Sequence, residues 1–121
     1  MGLIANISVA LVALLHVYFM ILEMFLWTKP TGLRTFSLTP EFAQASKTLA
    51  ANQGLYNGFL AAGLLFGLCC PPVIGLAFKE FFLGCVIVAG LYGSLTVGRK
   101  ILFVQALPGL IALVLVLLAG N

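Results

Sequence analysis

Charge is scarce in this sequence. Asp, Glu, Lys and Arg together make up 7% of its 121 residues, where a soluble domain carries about 25%. Too few polar groups exist to surface a monomer for water. Histidine is scarcer still, with a single copy, His16. One histidine and a distant glutamate fall short of the three protein ligands usual at a catalytic zinc, so no metal and no cofactor are expected. Cys69, Cys70 and Cys85 lack the CxxC spacing of a thiol oxidoreductase and read as small apolar packers. There is no phosphate-binding glycine loop, HExxH or nucleophile elbow. Met1-Gly2-Leu3-Ile4 opens without a basic stretch, and Asn6 stands where a myristoylation signal needs Ser or Thr. The first apolar run is therefore expected to remain in the chain, unlipidated.

What the chain has instead is apolar length: 63% of its residues are hydrophobic. A bilayer-spanning helix needs about 20 mostly apolar residues, and four segments of this single domain, residues 1–121, meet that need. They run over about 3–27, 49–70, 76–97 and 101–119. Closed β-barrels are the other spanning solution, but they need short alternating segments and these runs are apolar throughout. The fold class expected is all-α, a four-transmembrane-helix antiparallel bundle.

The breaks agree with that reading. Lys29-Pro30-Thr31-Gly32 ends the first run, Cys70-Pro71-Pro72 the second and Gly98-Arg99-Lys100 the third. The last turn is short enough to make its two helices antiparallel neighbours. Thr39-Pro40-Glu41 has the order of an N-cap, a proline at N1 and an acidic first turn. The second helix therefore begins near Pro40, giving a span of about 40–70, with Glu41, Gln44 and Lys47 as a wet first face.

The six basic residues sit between the apolar runs, which excludes nucleic acid as a partner and leaves the lipid bilayer. Lys29, Arg34, Lys47, Arg99 and Lys100 fall on one side and Lys79 alone on the other. Positive loops stay in the cytoplasm, so both termini are expected outside the inner membrane, with Trp27 at the inner interface. The bias also separates this chain from small multidrug exporters that insert in both orientations, which need a near-zero difference.

Polar side chains within membrane spans are costly and mark function by default. Here they gather in the inner half: Glu23 near the end of the first helix, Asn52, Gln53, Tyr56 and Asn57 in the second, Tyr92, Ser94 and Thr96 in the third, and Gln105 in the fourth. His16 alone approaches the midplane. His16 and Glu23 share a helix face, separated by about 10 Å at about 1.5 Å per residue. Asn52 with Tyr56, and Gln53 with Asn57, stack four apart. These residues fit a ligand pocket open to the cytoplasm. They fit equally a structural role, with Glu23 paired to Arg99 or Lys100, His16 in one interhelical hydrogen bond, and the amides joining helices. Gly54 and Gly58, Gly63 and Gly67, and Gly84, Gly90 and Gly93 allow close helix approach, within the chain or between copies of a homo-oligomer.

The order His16, Glu23-Met24-Phe25-Leu26-Trp27, Leu38-Thr39-Pro40-Glu41-Phe42, Leu49 through Gly63 with its Asn52-Gln53-Gly54-Leu55-Tyr56-Asn57-Gly58 core, and Phe82 through Gly90 resembles the bacterial membrane proteins of domain of unknown function 1304. The resemblance covers nearly the whole chain and implies a compact four-helix membrane protein, with no particular activity. DoxX-like proteins and the trimeric glutathione-linked membrane enzymes share the layout. The latter carry Arg and Glu around an Asn of their second helix, and Asn52 and Asn57 lack those companions. The function expected is binding or transport of a small polar or amphiphilic molecule, a lipid included, at His16, Glu23, Asn52, Gln53, Tyr56, Asn57 and Gln105. The alternatives are an intramembrane enzyme with His16 or Glu23 as acid or base, and a structural or assembly subunit.

Overall fold

A computed structural model describes residues 2–120, and among them there is no strand. Met1 and Asn121, the ends of the expected topology, lie outside the described residues. The helices are α1 (Gly2–Phe25), a short α2 (Pro30–Thr35), α3 (Pro40–Cys69), α4 (Pro72–Thr96) and α5 (Leu107–Ala119). A π-helical turn, Leu102–Ala106, leads into α5. Among the described residues, three helices have the length and composition to cross a membrane: Gly2–Phe25, Pro72–Thr96 and Leu102–Ala119. The second expected span, α3, is the longest helix at 30 residues, but Asn52, Gln53 and Asn57 dilute its apolar run.

The local chemistry explains the boundaries. The first helix stops at Phe25, two residues short of the expected end. Lys29-Pro30-Thr31-Gly32 is the start of a helix rather than a plain break, because Pro30 sits in the first turn where no N–H is required. That helix closes with Phe36 N–H donating to Gly32 O at 3.1 Å and Leu38 N–H to Leu33 O at 2.9 Å. Ser37 takes a left-handed φ of 53° between them, as a helix C-terminus often requires. Thr39 caps α3 as expected: its Oγ1 accepts from Phe42 N–H at 3.2 Å. The fourth helix starts at Pro72, earlier than Leu76, since a proline at N1 begins a helix as readily as it ends one.

The π turn reflects Pro108. A proline inside a helix has no N–H for the carbonyl four residues back, and its ring crowds that carbonyl. The ladder widens just before it, with Leu107 N–H donating to Leu102 O. Such adjustments re-satisfy freed backbone groups where no water is at hand.

The chain divides into two compact units: Leu14–Ala61, and the residues up to Ala13 with those from Ala62 onward. In the first, α1 and α3 run antiparallel. A Cβ on Gly54 would lie 2.7 Å from Met24 Cγ and 3.1 Å from Met20 O, and one on Gly58 2.8 Å from Met20 Sδ. This glycine pair therefore packs within the chain. Trp27 Nε1 donates to Ser46 Oγ at 3.0 Å, and its ring lies 5.0 Å from that of Phe36. In the second unit, Gly63 and Gly67 of α3 meet Phe82 and Phe78 of α4, while Gly90, Val86 and Ile87 of α4 meet Ala106 and Gly109. Both pairings are antiparallel, the second as the short turn after Gly98 predicts. Val9, Leu64, Leu83, Val86 and Val116 are fully buried there. Leu110, Ile111, Leu117 and Leu118 are exposed, a surface suited to hydrocarbon.

Candidate functional site

Glu23 organises the unit Leu14–Ala61. It stands in the last turn of α1 and is 5% exposed. Gln53 Nε2 donates to its Oε2 at 2.8 Å, and Asn57 Nδ2 donates to its Oε1. The four-residue spacing of the two amides aims both at one carboxylate. Gly54 makes this possible: its missing side chain leaves room for Glu23 Cβ, which a Cβ there would approach to 3.0 Å. Both amides come from the same unit as the carboxylate; the expected partners Arg99 and Lys100 belong to the other unit.

An open cleft of about 300 Å³ lies at the end of α1, lined by Glu23, Met24, Phe25, Trp27, Thr28, Lys47, Thr48, Ala51 and Asn52; Gln53 and Asn57, which hold the carboxylate, are not in its lining. Its walls are the end of α1, the turn after it, and the face of α3 that carries Lys47, Thr48, Ala51 and Asn52. Positions i, i+1, i+4 and i+5 lie on one helix side. Lys47, Thr28 and Thr48 were not among the expected site residues. Lys47 was legible as a loop-proximal charge, and its spacing to Asn52 is the signal that places it in the cleft.

The other expected residues divide. Asn52 lines the cleft, and its Nδ2 donates to Thr48 O at 2.9 Å. Tyr56 is 59% exposed with its ring 6.0 Å from Phe59, so the Asn52–Tyr56 stack lies off the face that holds Glu23. His16 is fully buried, edge-on to Phe19 at 5.5 Å. Gln105 belongs to the other unit, in the π turn, and is half-buried. Ser94 and Thr96 donate to carbonyls of their own helix, Leu91 O and Tyr92 O, and Tyr92 is 70% exposed. Cys69 is exposed, Cys70 and Cys85 are half-buried, and all three are free thiols.

The second unit holds a buried charge that the sequence reading counted as the one basic residue of the outer side. Lys79 lies within α4, is 6% exposed, and its Nζ donates to Asn6 Oδ1 of α1 at 2.9 Å. The expected span of 76–97 put it in the first turn; the early start of α4 at Pro72 puts it two turns inside the helix. A lysine within an apolar run facing an asparagine within another was the available signal.

No solved structure matches the chain. An uncharacterised protein of Lactococcus lactis subsp. lactis (strain IL1403), YpaA, is 34% identical over 116 residues, covering 94% of this chain and 97% of its own. The family model described as protein of unknown function, DUF1304, matches residues 10–117. With the family pattern running through both units, from α1 through the amides of α3 to α5, the chain belongs to the DUF1304 family.

Proposed function

We propose that this is a four-span protein of the inner membrane that binds a small polar or amphiphilic molecule bearing a positive charge, admitted from the cytoplasmic side. The observation that carries this reading is the Glu23 carboxylate. Two neutral amides supply its hydrogen bonds but not its charge, and the residue is part of the lining of an open cleft. A buried carboxylate in a membrane span is expensive unless a cation or a proton answers it. The end of α1 adds to the demand, because unpaired carbonyls make a helix C-terminus negative.

The orientation rests on the basic loops. Once Lys79 is counted as an internal helix residue, Lys29, Arg34, Lys47, Arg99 and Lys100 face no opposing loop cation, which strengthens the cytoplasmic placement of the cleft. Here α3 serves as the fourth span. A fluorescent protein fused to the C-terminus should stay dark and an alkaline phosphatase fusion should be active; the reverse pattern refutes this topology.

Binding is tested by thermal shift of the detergent-solubilised protein against a panel of amines, quaternary ammonium compounds and cationic amphiphiles. At least one class should raise the melting temperature of the wild type and leave Glu23→Gln unmoved. A flat response of the wild type across the panel, or an equal shift in Glu23→Gln, refutes the reading.

A further inference from the structure

The exposed side chains of α1, α4 and α5 are apolar or aromatic, save Thr96 at the end of α4. The third helix differs. Among the described residues, exposed carboxamides occur on α3 alone: Gln44, Asn52 and Gln53. Gln44 belongs to the wet first turns, before Lys47. Asn52 and Gln53 stand beyond Lys47, and no further charged residue follows until Lys79. Lipid offers an amide no hydrogen-bond partner.

The exposed face of α3 is also a repeat. Phe42, Ala45, Leu49, Asn52, Tyr56 and Phe59 recur alternately three and four residues apart, and every one is exposed. Ala43, Ala50, Gly54 and Ala61 fall on the opposite side and are buried, with Gly54 against α1. Alternation of three and four is the spacing of a coiled-coil seam, which keeps one face turned to a partner helix. From Phe42 to Phe59 the seam extends about 25 Å, at about 1.5 Å per residue. Asn52 stands in the middle of it. Its one hydrogen bond among the described residues is the N–H donated to Thr48 O, which leaves a second N–H and the carbonyl oxygen.

We infer that this seam joins two copies of the chain, α3 packed parallel against α3 about a two-fold axis along the membrane normal, with Asn52 of one copy hydrogen-bonded to Asn52 of the other. Copies that insert with the same orientation present parallel helices, and a two-fold axis sets each seam position against its own twin. A carboxamide is donor and acceptor at once and so complements itself. A single polar residue in such a seam specifies register, and amides in lipid draw helices together. The flanking positions agree. In a parallel pair, Thr48 of one copy lies beside Gln53 of the other. The Gln53 Nε2 is engaged by Glu23, which leaves its carbonyl oxygen for the threonine hydroxyl. The seam carries no charge, so identical faces do not repel each other, and a charged partner would find no counter-charge on it. The inference takes α3 as the fourth span, as proposed above, and is independent of any ligand.

The test places single cysteines in the full chain, with Cys69, Cys70 and Cys85 changed to alanine, in native membrane vesicles. Leu49→Cys and Phe59→Cys lie on the seam, and Val88→Cys lies on the exposed side of α4. Oxidation with copper phenanthroline should link both seam variants into a species of twice the monomer mass and leave Val88→Cys monomeric, because a disulfide forms only where Cα atoms come within about 7 Å. In liposomes, energy transfer between labelled chains on lipid dilution should show association weakened about ten-fold by Asn52→Leu and kept by Asn52→Gln. Asn52 is exposed, so both variants should fold, which melting temperatures in detergent verify. No link at either seam position, or equal linking through Val88→Cys, overturns the inference. So does association indifferent to Asn52→Leu, and so does a seam adduct of any mass other than that of two chains, which would mean a different partner. A water-soluble maleimide separates this failure from that of the span. If Phe59→Cys reacts as fast as Glu41→Cys, α3 does not cross the bilayer and both readings fall. If Phe59→Cys is shielded yet unlinked, the span stands and the pairing alone is refuted.

Discussion

Each unit of this protein buries one charge against a glycine of the same helix, and the two do so differently. In the unit Leu14–Ala61, Gly54 of α3 faces Glu23, and α3 itself supplies the amides that bind the carboxylate. In the other unit, Gly67 of α3 faces Lys79, where a Cβ would come 3.2 Å from the lysine Cγ, but the polar partner is Asn6, from another helix. The glycine does the same steric work in both places: it lets a long charged side chain lie close to the backbone. What differs is the polar supply. Glu23 has two donors, both amides of the facing helix. Lys79 has one acceptor and ties the start of α1 to α4, as befits a group that fastens helices.

The comparison predicts unequal tolerance. Near Lys79 the packing is backbone against backbone: a Cβ on Gly75 would lie 2.5 Å from Gly67 O. Near Glu23 the nearest obstacle to a Cβ on Gly54 is a methionine side chain, at 2.7 Å, and methionine repacks easily. Gly75→Ala should therefore cost about 3 kcal/mol and Gly54→Ala about 1 kcal/mol. Melting temperatures in detergent would settle the order, and equal losses would break the contrast. The amides give effects below that of Gly75→Ala. Asn6→Leu strips a buried cation of its acceptor and should cost about 2 kcal/mol, recovered when Lys79→Met is added, because removing both partners of a buried polar pair is often neutral. Asn57→Leu leaves Glu23 with Gln53 and should cost about 0.6–1 kcal/mol. If Lys79→Met failed to rescue Asn6→Leu, the fastening role of that pair would be wrong.

Much of this was legible in the sequence, and the exceptions have physical causes. The apolar runs of α1, α4 and α5 stand out because hydrocarbon demands them. The Thr39-Pro40-Glu41 start of α3 was readable because capping is local. The convergence of Gln53 and Asn57 on one face was readable from helical period. That Glu23 is the group they bind was not, since it depends on how closely Gly54 lets α1 approach. Lys79 was counted with the outer side because it lies near a proline break, and its burial shows in the contact with Asn6. Tyr56 was grouped with the site by its depth and its four-residue spacing from Asn52; its side chain is exposed beside Phe59.

The widened turn before α5 ties two positions together. Where the ladder loosens to clear Pro108, the backbone at Ala106 swells toward α4, and Gly90 is there to receive it: a Cβ on Gly90 would lie 2.5 Å from Ala106 N. Bulge and notch are thus a matched pair across the helix hairpin. Side-chain size at residue 90 and the ring at residue 108 behave as one variable, so a larger residue at 90 becomes admissible only in a chain whose last helix runs unbroken.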